Sequence, residues 1–129
     1  MQTLRQRPNG IGPIEAAVEV FCQSAISKGD FATPASRDRK LYESMRSAVR
    51  SLRSFGEPGE EAMQRMLNHD SRYVRLWIAT ELLVKGSGHA EKVLQELAAS
   101  DGLDGLSAST VLNEFAAGKL CSPFPENEA

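Results

Sequence analysis

Two histidines and two cysteines are the residues of this chain that most readily bind metal ions or act as nucleophiles. His69 and His89 are separated by a predicted helix, and Cys22 and Cys121 lie far apart, without a Cys-x-x-Cys pair. A zinc site needs three or four ligands, and nucleophilic catalysis needs a nucleophile, a base and an orienting group. No His-Glu-x-x-His, Gly-x-Ser-x-Gly or glycine-rich phosphate-loop pattern occurs. We therefore expect no metal site, no cofactor and no catalytic residues, and predict that the chain is not an enzyme.

Basic side chains are the remaining candidates, and they concentrate in the first half of the chain. Residues 1–56 contain 9 Lys/Arg and 5 Asp/Glu, a balance of +4, and residues 57–129 contain 6 and 12, a balance of −6. We expect an acidic protein partner to bind Arg46, Arg50, Arg53 and Arg72, because opposite charge steers association. The alternative is that the basic second helix binds the phosphate backbone of a nucleic acid, although the formal net charge of −2 disfavours it.

Helical periodicity predicts the elements that position these residues. Apolar residues recur at the i, i+3, i+4 spacing in six segments, and no segment alternates apolar and polar residues in the manner of a strand. The chain is therefore predicted to be all-α, with helices over residues 13–28, 34–55, 60–67, 72–85, 89–99 and 108–117. Glycines are expected to end or separate several of these helices, and Ser107 is expected to cap the last.

The fourth predicted helix is apolar on nearly every side, so we expect other helices to sandwich it. Arg75 lies in this apolar context, where a charge needs a partner. Asp70, in the preceding turn, is the predicted partner in an inter-helix ion pair. Trp77, the only tryptophan, is either a core residue or an anchor for a binding partner, and the sequence leaves both possibilities open.

The stretch around this helix resembles the HEAT-repeat, or armadillo-type, α-solenoid pattern. The resemblance is carried by residues spaced as Leu-x-x-Asp-x-x-x-Val-Arg-x-x-x-Ala-x-x-x-Leu, namely Leu67, Asp70, Val74, Arg75, Ala79 and Leu83. It implies that the six helices form three antiparallel hairpins stacked as a short right-handed solenoid. Residues 42–120 are also similar to a small bacterial family of HEAT-like domains of unknown function. In such proteins the concave surface, here helices two, four and six, binds other proteins.

Composition fits one helical domain with short flanks. A chain of 129 residues is long enough to bury a core, and we expect a flexible lead-in over 1–12, a single domain over 13–120 and a flexible tail over 121–129. No apolar run is long enough to span a membrane. Cys22 is expected to be a buried free thiol, and sparse, unpaired cysteines favour the cytoplasm.

These observations together predict a non-catalytic protein–protein interaction module. The HEAT resemblance adds immunity, antitoxin or adaptor roles in bacteria as examples. The identity of the partner and the oligomeric state are left open by the sequence.

Overall fold

The computed structural model describes residues 12–28, 35–100 and 102–125, and these ranges are all-α, without a strand. The helices are α1 Pro13–Lys28, α2 Ala35–Ser54, α3 Glu57–Arg65, α4 Arg72–Val84, α5 Gly88–Ala98 and α6 Leu103–Ala116. A single 3₁₀ turn, Met66–Asn68, prolongs α3. The predicted all-α class with six helices is therefore confirmed for these ranges. The stacking of three hairpins as a right-handed solenoid stays a prediction.

Serine caps begin two of the helices. The Ser71 hydroxyl accepts hydrogen bonds from the backbone N–H groups of Tyr73 and Val74 at 3.2 and 3.5 Å. The Ser87 hydroxyl accepts from the Ala90 N–H at 3.1 Å. Each bond satisfies a donor that the first turn of a helix leaves without an intrahelical acceptor. The helix α6 differs from its prediction, because it begins at Leu103 and not after Ser107.

Two glycines that the sequence suggested as turn residues lie inside helices. Gly59 is in the first turn of α3, where a Cβ atom would overlap the carbonyl oxygen of Leu52 in α2. Gly105 is in the first turn of α6, where a Cβ atom would overlap the carbonyl oxygen of Ser100. The absence of a side chain therefore allows α3 to lie directly on α2, and α6 directly on the end of α5.

The core is continuous through the helices. The helix α1 packs along α2 and also contacts α3 and α4, and α5 lies against both α4 and α6. Among the largest fully buried side chains are Met45 and Leu52 of α2, Ile78 of α4 and Leu94 of α5. Phe115 of α6 is 39% exposed, because no described element covers the last turn of that helix.

The helices between residues 12 and 125 that the structure describes are all too short or too polar to cross a bilayer.

Candidate interaction site

The C-terminal segment of the structure, residues 122–125, is packed into the helical domain. Phe124 is fully buried, at 0% exposure. Its ring centroid lies 5.7 Å from that of Phe21 in α1, 5.9 Å from that of Tyr42 in α2 and 5.7 Å from that of Trp77 in α4. We call these three side chains the aromatic cleft. The prediction that a flexible tail begins at residue 121 is therefore wrong for residues 122–125, and residues 126–129 lie outside the described ranges.

Main-chain hydrogen bonds hold the same segment. The Tyr42 hydroxyl donates to the Pro123 carbonyl oxygen at 2.7 Å, and the Arg53 guanidinium donates to the Phe124 carbonyl oxygen at 3.0 Å. The Phe124 N–H donates to the Ser122 hydroxyl at 3.0 Å. Proline has no N–H group, so Pro123 introduces no donor that would need a partner on burial. The carbonyl oxygens of Pro123 and Phe124 are thereby matched to side chains of the domain, and the Phe124 N–H is matched within the segment.

A buried ion pair forms one wall of this site. Glu81 of α4 is only 1% exposed and forms an ion pair with Arg53 of α2. Its other carboxylate oxygen accepts a hydrogen bond from the Ser122 hydroxyl at 2.5 Å. Arg53 therefore has an internal role, with a side chain that is 14% exposed, so it is not the exposed group that the prediction of partner binding assumed. Its position on α2 directs the guanidinium towards α4, where the buried Glu81 carboxylate requires a cation.

The cleft lies between α2 and α4, two helices that do not meet directly. The Cα atoms of α2 and α4, within the described ranges, are nowhere within 8 Å of each other. Side chains from both helices reach across this space, Tyr42 and Arg53 from α2 and Trp77 and Glu81 from α4. Phe124 occupies the space between them. The C-terminal segment thus supplies packing that α2 and α4 do not give each other.

The other basic residues of α2 continue from the edge of the cleft. Residues 39, 42, 46, 50 and 53 follow one another at spacings of three or four, which places them on one stripe of the helix. Arg39 and Arg50 are exposed. Arg46 pairs with Glu43 at 3.2 Å, and its side chain is 16% exposed. Of the four arginines predicted from the sequence to bind a partner, Arg50 and Arg72 are thus the exposed ones.

The predicted ion pair between Asp70 and Arg75 is not formed. The Arg75 guanidinium donates instead to the main-chain carbonyl oxygens of His69 and Asp70, at 2.5 and 3.0 Å. These carbonyls follow the 3₁₀ turn, where the backbone no longer supplies helical donors. The Asp70 residue is exposed. Arg75 therefore stabilises the turn into α4 through backbone acceptors, while the buried ion pair of α4 belongs to Glu81.

The two histidines lie in a turn and at the edge of a groove. His69 accepts a hydrogen bond from the Ser71 N–H at 2.9 Å, which makes it part of the turn. His89 lines an open groove of about 770 Å³ beside α5. Within the described ranges no three His, Cys, Asp or Glu side chains are grouped as metal ligands require.

Cys22 is a buried free thiol, as predicted. Its sulfur lies 3.8 Å from the Met66 sulfur. Burial in this apolar setting, together with the charge of Glu19, raises the pKa of the Cys22 thiol above its ordinary value. A raised pKa disfavours the thiolate, which is the nucleophilic form.

No protein-family model, curated protein or solved structure matches this chain. The resemblance to HEAT repeats therefore stays a prediction from the residues that carry it.

Proposed function

We propose that this chain is a non-catalytic protein-interaction module whose partner presents an acidic surface to the basic stripe of α2. The observation that carries the proposal is the arrangement of Arg39, Arg46 and Arg50 along one side of a helix, beside a cleft that already holds a short protein segment. Arg39 and Arg50 are separated by about 16 Å along the helix axis. That length suits several carboxylates of a partner surface.

The arginines that we expect to contact the acidic partner differ from those predicted from the sequence. Arg53 is paired with Glu81, so the acidic partner is expected to contact Arg50 and Arg39 rather than Arg53. Exposed ion pairs contribute only about 0.2–1 kcal/mol each. The stripe is therefore expected to set orientation and association rate, while apolar contacts supply most of the affinity.

The setting proposed for this module is the cytoplasm, where an exposed thiol such as Cys121 persists unpaired. A short HEAT-like solenoid used as an immunity, antitoxin or adaptor protein is the more specific form of the proposal. Its support is the spacing of the resemblance in and around α4.

A charge-reversal pull-down tests the proposal. The double variant Arg39→Glu/Arg50→Glu is compared with wild type and with Arg65→Glu, which reverses an exposed charge at the end of α3. We expect a protein that is retained by wild type and by Arg65→Glu to be lost from the double variant, with retention decreasing as salt is raised. Equal retention by all three proteins would contradict the role of the stripe.

Nucleic-acid binding through the same stripe is the second candidate, because Arg39, Lys40 and Arg50 are exposed on one helix. The net charge of −2 and the internal role of Arg53 weigh against it. Anisotropy of a labelled DNA duplex is expected to show no binding at about 150 mM salt. Binding there with a steep negative salt slope would place the nucleic acid ahead of a protein partner.

A further inference from the structure

We propose that the aromatic cleft is a peptide-binding site in which residues 122–125 are a resident, intramolecular ligand. The ligand that replaces them is a partner segment of the same chemistry, an aromatic residue flanked by prolines and followed by acidic residues. This inference rests on the proposed function, since it names the kind of segment that the acidic partner inserts beside the basic stripe.

The contacts of the resident segment are those of a bound peptide. Phe124 is an anchor buried by three aromatic rings. The carbonyl oxygens of Pro123 and Phe124 accept hydrogen bonds from the Tyr42 hydroxyl and the Arg53 guanidinium, respectively. None of these interactions requires the segment to be covalently continuous with α6. A separate peptide with the same residues would make the same contacts.

The composition of the segment fits such a cleft. Proline-rich segments dock in aromatic-lined grooves because proline restricts the backbone before binding, which lowers the entropy lost on binding. Here Pro123 and Pro125 flank the anchor, and Tyr42 and Trp77 provide aromatic walls. Side chains of the domain, and not a sheet edge, satisfy the carbonyls, so the affinity depends on the anchor more than on backbone pairing.

Charge extends the recognition beyond the cleft. The sequence continues after Pro125 with Glu126 and Glu128. On the protein side, Arg46 and Arg50 lie on the same stripe of α2 as Arg53, which binds the Phe124 carbonyl. The sequence that follows the resident segment is therefore acidic, opposite in sign to the stripe. A partner segment that carries carboxylates after its aromatic anchor matches both features.

Occupancy in cis controls access to the cleft. The chain leaves α6 at Gly118, whose φ of +73° places it in the left-handed region, and residue 122 follows within a few residues. A short tether gives the resident segment a local concentration of about 1 mM. A free segment of equal intrinsic affinity must exceed that concentration, so the wild type responds only to a tighter or locally concentrated partner.

The experiment uses the full chain and a synthetic peptide of residues 119–129 with serine in place of Cys121. The protein variant Phe124→Ala removes the resident anchor, and the emission of Trp77, the only tryptophan of the chain, reports on the cleft. The control peptide has alanine in place of Phe124. We expect saturable binding of the first peptide to Phe124→Ala, binding to wild type that is about tenfold weaker or more, and no binding of the control peptide.

A folding defect is separated from a binding defect by a second variant. Far-UV circular dichroism shows whether Phe124→Ala keeps its helices; if it does not, the titration is carried out on Phe124→Leu, which leaves an apolar side chain near the cleft. A peptide with glutamine in place of Glu126 and Glu128 is expected to bind about fivefold more weakly at low salt, as two exposed ion pairs would give.

Three outcomes would overturn the inference. One is a folded anchor variant whose Trp77 emission does not change with peptide up to about 1 mM, the tether concentration. A second is equal binding by wild type and variant, which would place the peptide outside the cleft. A third is a concentration-dependent dimer of wild type that Phe124→Ala abolishes, which would assign the cleft to a second copy. The Arg39→Glu/Arg50→Glu pull-down does not depend on a peptide entering the cleft. Its result therefore tests the proposed function independently of the peptide-binding inference.

Discussion

Replacing Phe124 with alanine is expected to destabilise the whole domain, although the residue lies outside the helices. Its ring is fully buried against Phe21, Tyr42 and Trp77. Removing a buried phenylalanine costs about 3–5 kcal/mol in transfer and cavity terms. The segment can leave the cleft and regain conformational entropy, so the lower end applies, about 3 kcal/mol. For a chain of this size that loss lowers Tm by about 10 °C.

Thermal unfolding followed at 222 nm and urea unfolding at 25 °C measure this effect. The matched control is Phe115→Ala, the same chemical change at a side chain that is 39% exposed at the end of α6. We expect the control to lose no more than about 1 kcal/mol, as is usual for partly exposed positions. A loss from Phe124→Ala that is no larger than that of the control would refute the burial of this anchor.

Three further predictions concern the ion pair, a helix contact and the thiols. Arg53→Met leaves the buried Glu81 carboxylate without its cation and should lower the free energy of unfolding in urea by about 3 kcal/mol. Adding Glu81→Gln to this variant should restore part of the loss. An unchanged urea midpoint for Arg53→Met would contradict the pairing. Gly59→Ala, which forces a Cβ atom onto the α2 backbone, should cost about 2 kcal/mol or more, whereas Gly88→Ala, with open space around its Cβ position, should stay within about 0.5 kcal/mol. Titration with a thiol reagent at pH 8 should label the exposed cysteine quickly and Cys22 slowly until urea is added, because burial raises the pKa of Cys22; equal rates would contradict its burial.

The raised pKa of Cys22 also fixes the direction of a pH effect on stability. In the native state the thiol stays protonated to higher pH than in the unfolded chain, because burial disfavours the thiolate. The stabilisation is fully present below the ordinary thiol pKa and is lost as pH rises through the native value. Cys22→Ala should therefore reduce the loss of unfolding free energy as the pH rises above the ordinary thiol pKa. At pH 7 the thiol is protonated in both states, so the substitution should not change this pH-dependent contribution.

Apolar periodicity in the sequence predicted most of the helical architecture. The predicted bounds of α1, α2, α4 and α5 agree with the structure within one or two residues, because each carries a repeated apolar stripe and a proline, serine or glycine at an end. The first turns of α3 and α6 were missed for one physical reason. Glycines that pack a helix onto its neighbour look, in a sequence, the same as glycines that end a helix.

The interaction site was less accessible from the sequence. The segment around Phe124 has no periodicity and contains two prolines, which are features of a tail; the one signal was an aromatic residue between prolines. Glu81 and Arg75 gave the same signal in the sequence. Each is a charged residue inside an apolar helix and therefore needs a partner. Which partner each charge finds depends on how the fold places α2 opposite α4, and spacing along one helix does not specify it.

The most direct test of the account is the proximity of Phe124 to the aromatic cleft in solution. In a ¹H NMR experiment on the wild-type chain, nuclear Overhauser effects are predicted between the Phe124 ring and the rings of Trp77 and Tyr42, since their centroids lie 5.7 and 5.9 Å apart. Phe124 ring resonances at random-coil positions, without cross-peaks to either ring, would contradict the account.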